Sequence, residues 1–228
     1  PNGRKVAAAC GARMIPYDVE LGGKDPLIVM EGANLDDAVS ATIRGAISAT
    51  GQVCFSIERI YVQDTIHDEY VRKLIERARR IELNHPDPMA GHIGPFTGPH
   101  QAKVVKEHLE DAVAKGATIE EGGPPFQIDG GDYMRPTVLT GVTHDMKIMR
   151  EETFGPVMPV MKWHDIEEAI ALANDTDYGL SAAVIGPDAE TASAVAERIN
   201  AGKVSVQDTF LTFFGSECKN DSFGFSGL

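Results

Sequence analysis

Two short stretches hold the residue types that acyl chemistry needs: Glu20-Leu21-Gly22-Gly23-Lys24 and Gly51-Gln52-Val53-Cys54. One supplies a carboxylate and the other a thiol, each beside glycines that let backbone come close, as a covalent thioester route requires. A thiol of ordinary pKa, about 8.5, is mostly protonated at neutral pH, so a reactive Cys54 needs a base or favourable dipoles beside it. Glu20 is a candidate for that base, or for the base that activates water to resolve a thioester. Each residue also has a plainer reading. A free cysteine is commonly a small buried hydrophobe, and a Glu before Gly-Gly is commonly a solvated turn residue. A third stretch, Glu151-Glu152-Thr153-Phe154-Gly155-Pro156, joins carboxylate, aromatic ring and rigid turn. It suits sugar hydroxyls with a flanking ring, or else is a pair of solvated glutamates.

The elements that must hold these residues follow from periodicity. In residues 35–49, Leu35, Ala38, Val39, Ile43, Ala46 and Ile47 recur at helical spacing behind a cap at Asn34 or Asp36, so an amphipathic helix leads towards Cys54. Residues 57–62 read as a strand, and 66–81 as a charged helix stopped by His85-Pro86-Asp87-Pro88. Further helices are predicted over 100–115, 165–173 and 188–201, and further strands over 117–119, 137–139, 157–161, 181–185 and 203–206. This alternation predicts an α/β fold, a largely parallel sheet flanked by helices. Residues 210–228, aromatic and glycine-rich without period, are predicted to form a surface loop.

Composition bounds the function. With 228 residues and 43% hydrophobic content, the chain can bury a sizeable core. Acidic residues outnumber basic ones 34 to 21 and no basic block occurs, which argues against nucleic acid as a partner. Cys10, Cys54 and Cys218 are an odd number at neither metal nor redox spacing, so no disulfide framework or zinc site is expected, and a reducing compartment, the cytoplasm, fits best. None of the seven histidines forms a helical ligand pair, so no metal is expected. No apolar run is long enough to span a bilayer, and no membrane partner is expected. The glycine clusters fail the G-x-G-x-x-G pattern, so the chain shows no dinucleotide fingerprint.

In order and spacing, Glu20-Leu-Gly-Gly-Lys24, Gly51-Gln-Val-Cys54, Glu151-Glu-Thr-Phe-Gly-Pro-Val157 and Tyr178-Gly-Leu180 resemble the aldehyde dehydrogenase superfamily over nearly the whole chain. The resemblance implies an aldehyde dehydrogenase catalytic-domain-like fold in which Cys54 attacks an aldehyde and Glu20 is the general base for the water that releases the acid. It implies NAD or NADP as cofactor, with Glu152 at the nicotinamide ribose, Phe154 packed on that end, and Leu21 and, more loosely, Gln101 with Lys103 at further cofactor contacts. The presence of Glu20 favours water over coenzyme A as acyl acceptor. Residues 1–21 would be the end of a dinucleotide-binding domain, a helix opened by Gly3-Arg4-Lys5-Val6 and a strand over 15–20, and residues 22–228 the catalytic domain. Since the phosphate-binding part of the family pattern is missing, the isolated chain is expected to be a weak dehydrogenase, with a homo-oligomer expected of the full-length form. Two departures stand out: Val206-Gln207-Asp208 where the family often has Val-Asn, and Asn220-Asp-Ser-Phe-Gly-Phe-Ser-Gly227 at the end. Two other functions stay open at this level, a cofactor-independent thiol esterase and a non-catalytic domain that associates with another subunit.

Overall fold

The computed structural model describes residues 2–211. After a first helix, α1 (Asn2–Gly11), the chain builds one seven-stranded sheet from β1 (Asp25–Val29), β2 (Ile57–Gln63), β3 (Thr118–Glu121), β6 (Thr137–Thr140), β7 (Val157–Trp163), β8 (Ser181–Ile185) and β9 (Lys203–Val206), in the spatial order β3-β6-β7-β2-β1-β8-β9. Only β3, at one edge, runs antiparallel to its neighbour. A small hairpin, β4 (Phe126–Ile128) with β5 (Gly131–Tyr133), stands apart.

Helices cover both faces, as a parallel sheet demands. On one side α2 (Leu35–Ile47) and α3 (Asp64–Ala78) pack on Leu27 and Val29 of β1, Ile60 and Val62 of β2, and Met158 and Val160 of β7. On the other, α4 (Pro99–Ala114), the short α5 (Lys147–Arg150), α6 (Ile166–Asn174) and α7 (Ala189–Ala196) cover Ile28, Tyr61, Leu139, Val157 and Val184. The alternation along β1 is the period-two signature of a strand buried on both faces. Asn34 caps α2 by accepting from the amides of Asp36 and Asp37, and Asp165 and Asp188 cap α6 and α7 in the same manner.

The predicted α/β architecture with its mostly parallel sheet is what the chain adopts. Two local expectations differ, and one element, the hairpin, was not expected. Residues 15–20 form no strand, because a strand exists through pairing and no neighbouring strand reaches this exposed segment; the strand instead starts at Asp25, after the Gly22-Gly23 pair. The last long helix stops at Ala196 instead of 201, because the Asn174 side chain engages the carbonyl of Arg198 and the amide of Asn200, drawing that backbone out of a helical ladder. The hairpin was hidden in a polar stretch, although Asp129-Gly130, both with positive φ, is the sequence of a two-residue hairpin turn. Cys218, the departure at 220–227 and all but the first two residues of the predicted terminal loop lie outside the described residues.

Candidate active site

Each of the four sequence motifs immediately precedes a strand: Glu20 to Lys24 before β1, Gly51 to Cys54 before β2, Glu151 to Pro156 before β7, and Tyr178 to Leu180 before β8. Those strands, β7-β2-β1-β8, are parallel neighbours in the middle of the sheet. Parallel strands bring the loops at their amino ends to one rim, so residues up to about 160 positions apart in sequence meet there. A cavity of about 700 Å³ lies elsewhere, between α3 and the β6 and β7 strands, lined by His67, Arg72, Thr140, Val160 and Lys162, and none of the motif residues faces it.

At this rim Cys54 is a half-buried free thiol. Burial raises its pKa, and the carboxylates of Glu20 and Asp25 raise it further, while the amide groups of Phe55 and Cys54 itself pull it down. Glu20 therefore lies within electrostatic reach of the thiol, on an exposed stretch of backbone. The turn before Cys54 is wound tightly. Ala49 and Thr50 both adopt left-handed φ values of 50° and 62°, costly for a β-branched threonine, and the Thr50 hydroxyl is tied to the Gly94 carbonyl at 3.1 Å. Gln52 accepts from both the amide and the hydroxyl of Thr97, at 3.0 and 2.9 Å, which fixes the turn from the other side.

The two glycines of the first motif have separate jobs. A side chain on Gly23 would collide with the Cys54 carbonyl oxygen, and one on Gly22 with the Glu152 carboxylate. The Gly23 amide donates to Glu152 Oε1 at 3.1 Å. Glu152 is half-buried, and burial raises its pKa against that hydrogen bond. Burial raises the pKa of the nearby Tyr178 hydroxyl, and the Glu152 backbone amide works against that rise. The Glu-Leu-Gly-Gly-Lys segment is thus the floor on which both the thiol turn and the Glu152 carboxylate rest.

Beneath it lies a buried polar layer. Lys24 Nζ donates to Glu58 Oε2 at 2.6 Å and to Thr153 Oγ1 at 2.9 Å. Lysine has no acceptor, so Thr153 accepts here and can donate its own hydrogen to His108 Nδ1, 3.2 Å away. Burial and the Lys24 charge both lower the His108 pKa, consistent with a neutral imidazole. Arg59, fully buried, donates to the carbonyls of Lys24, Leu172 and Ala173 and so ties β2 to the end of α6. Asp25 binds Ser181 through its amide at 3.2 Å and through its hydroxyl.

Of the predicted residues, Cys54, Glu20, Glu152 and Phe154 belong to this rim. Phe154 is half-buried and holds a left-handed φ of 53°. Leu21 packs against Gly3 of α1. Gln101, on α4, donates to the Thr153 carbonyl at 2.7 Å, which makes it a support of the Glu152 loop, and Lys103 lies in an exposed pair with Glu107. Gln207, one of the sequence departures, binds both the amide and the carbonyl of Gly186, and Asp208 pairs with Arg44. Phe210 meets Phe55, the residue after Cys54, edge to face at 5.7 Å. Lys24, Glu58, Arg59 and Thr153 were missed as site residues. Their signal was present: Glu58-Arg59 interrupts an otherwise apolar strand, and charges inside a doubly covered strand need buried partners. Among the described residues no group of three His, Cys, Asp or Glu side chains could hold a metal, and no helix is long and apolar enough to cross a membrane.

Comparison with known proteins places the chain among its relatives. It is 42% identical over 215 residues to the "Putative succinate-semialdehyde dehydrogenase [NADP(+)]" of Mycolicibacterium smegmatis, covering 94% of this chain and 42% of that protein. It is 40% identical over 205 residues to the betaine aldehyde dehydrogenase of Mesorhizobium japonicum, covering 89% and 42%. Among solved structures, "Putative Aldehyde Dehydrogenase PutA from Anabaena variabilis" matches with a TM-score of 0.92 at 48% identity, covering 99% of this chain and 48% of that one. The chain therefore spans about 42% of the length of these curated relatives. The model of the aldehyde dehydrogenase family matches residues 1–219, and the chain belongs to that family.

Proposed function

We propose that this chain carries the catalytic domain of an NAD- or NADP-dependent aldehyde dehydrogenase that oxidises a small aldehyde to the carboxylic acid through a thioester on Cys54. The observation that supports this most is the convergence of four motif loops at the amino ends of β7, β2, β1 and β8, with Cys54 and Glu152 both seated on Gly22-Gly23. In this reading the Cys54 thiolate adds to the aldehyde carbon, forming the C–S bond while the carbonyl oxygen takes the negative charge. A bound nicotinamide cofactor supplies the acceptor for the hydride that leaves that carbon. Glu20 takes a proton from water as it attacks the resulting thioester, the C–S bond breaks to give the acid and the Cys54 thiolate, and Glu20 then releases its proton to solvent.

The residues at the rim fit such a cofactor. Glu152 uses one oxygen for the Gly23 amide, and a carboxylate offers about four acceptor sites, so capacity is left for a sugar diol. Val6, Met14, Ile15 and Tyr17 are exposed in the first 21 residues, a surface suited to a neighbouring cofactor domain of which this segment would be the end. Homo-oligomerisation of the full-length protein is part of the same proposal.

Stopped-flow turnover of p-nitrophenyl acetate, with mass mapping of the acetylated residue, tests the nucleophile. The expected result is a burst that leaves acetyl on Cys54 and vanishes in Cys54→Ala. Turnover unchanged in Cys54→Ala would overturn the assignment. Aldehyde oxidation by this chain at about 1 per second or faster would overturn its dependence on a further cofactor domain.

A further inference from the structure

The Glu152-Thr153-Phe154 loop is held from below by one carboxylate that no motif contains. Glu58 Oε2 accepts from Lys24 Nζ at 2.6 Å and from the Thr153 amide at 2.8 Å, and Oε1 accepts from the Phe154 amide at 2.7 Å. How Glu58 comes to aim there is visible in the strand register. Asp25 pairs with Ile57 but the next residue, Pro26, pairs with Arg59, so Glu58 is an extra residue in β2. Such a bulge re-aims a side chain, and Pro26, with no amide hydrogen, lets the ladder break at that point.

Both partners are buried, Lys24 at 1% and Glu58 at 3% exposure. A buried ion pair is weak evidence for stability, since apolar side chains of similar volume often serve as well or better. What the pair does that they could not is fix two backbone amides and one hydroxyl around a left-handed aromatic residue. Phe154 at a φ of 53° is a conformation that persists only where its surroundings over-determine it. The Gln101 side chain, on the Thr153 carbonyl, completes that set.

We infer that Glu58, neutralised by Lys24, is a positioning residue that sets where the Glu152 carboxylate and the Phe154 ring stand relative to Cys54. It acts through the Thr153 and Phe154 amides and touches neither the thiol nor the substrate carbon. The proposal rests on the function proposed above only for what Glu152 then binds.

The Gly23 amide tests it, because its partner is Glu152 and not Glu58. In Glu58→Gln the amide group keeps one acceptor oxygen and turns an NH2 towards donors. Amide hydrogen exchange followed by NMR on this chain is expected to speed up about ten-fold or more at Thr153, Phe154 and Gly23, while Leu27 and Val62 inside the sheet change by less than about two-fold. Gly23 exchanging at the wild-type rate while Phe154 is released, or Phe154 still protected, would overturn the proposal. Should Glu58→Gln fail to fold, Lys24→Met/Glu58→Gln removes the unpaired ammonium and is read by the same amides. Nicotinamide mononucleotide titrated into the wild-type chain separates the two readings. No shift of the Gly23 amide would count against the cofactor contact, and the exchange rates decide the role of Glu58 in either case.

Discussion

At the Cys54 thiol, charge and backbone act in opposite directions: burial, Glu20 and Asp25 favour the protonated form, and two amide groups favour the thiolate. Replacing Glu20 by Gln removes one of the negative charges, so the thiol pKa falls and more thiolate is present at pH 7. Alkylation of Cys54 by iodoacetamide should then speed up roughly two- to five-fold, the gain being trimmed because a less basic thiolate is a weaker nucleophile. The acetyl group left by p-nitrophenyl acetate should at the same time persist longer, for want of a base. An unchanged alkylation rate in Glu20→Gln would remove Glu20 from the neighbourhood of the thiol, and a slower one would make Glu20 the base that ionises Cys54. The paired glycines make a second contrast. Ala at Gly23 collides with the backbone of Cys54, which cannot swing aside, and should cost about 1–3 kcal/mol in urea unfolding together with the acetylation burst. Ala at Gly22 collides with the end of the Glu152 side chain, which can rotate away, so stability should fall by clearly less than in Gly23→Ala. Equal losses in the two variants would refute this division of labour.

At the scale of elements, periodicity shows which segments are helices and strands but not which strands are neighbours. The helix before Cys54, the cap at Asp165 and the strands Ser181–Ile185 and Lys203–Val206 are legible, because each carries an apolar repeat bounded by cap or turn residues. The strand β1 is not, since five residues opening on Asp-Pro carry too little pattern and a proline argues against a central strand. The chemistry-bearing residues were legible by type. Their meeting was not, because the order β7-β2-β1-β8 is produced by crossovers, and the buried layer below it by a bulge at Glu58. Arg59 shows what that layer holds together. Its guanidinium donates to the Lys24, Leu172 and Ala173 carbonyls; in Arg59→Met the Leu172 carbonyl keeps the Tyr61 hydroxyl and the Asp175 amide, but those of Lys24 and Ala173 lose this donor. The expected cost is about 2–5 kcal/mol in urea unfolding, against the few tenths typical of surface sites. A loss below about 1 kcal/mol would mean that β2 and α6 are not joined through this side chain.

Over the whole molecule, a sheet covered on both faces places titratable groups where water does not reach, and their linkages run in opposite senses. Burial lowers the pKa of His67, His108 and His144, so the unfolded chain takes up protons more readily, and stability from these groups is lost as pH falls from about 6.5 through their folded values. Asp25 runs the other way. Burial raises its carboxyl well above the ordinary range against the hydrogen bonds from Ser181, so the folded chain holds its proton more tightly than the unfolded one. Its contribution is greatest below the unfolded value of about 3.8 and is lost as pH rises through the folded value. The net charge of −13 adds a repulsion that also grows with pH, but 0.15 M salt screens it over about 8 Å, while a buried carboxyl is screened far less. Asp25→Asn separates these terms, because the variant keeps the shape, leaves the histidines untouched and cannot titrate. Measured by urea unfolding in 0.15 M salt, the stability difference between Asp25→Asn and wild type should move in favour of the variant as pH rises from 5 towards 8 and level off above the folded value. Whatever fixed cost the amide carries in contact with Ser181 shifts that difference by a constant and leaves its slope alone. A flat difference over that range would mean that the folded carboxyl is already ionised at pH 5, and that burial does not hold its proton against the hydrogen bonds from Ser181.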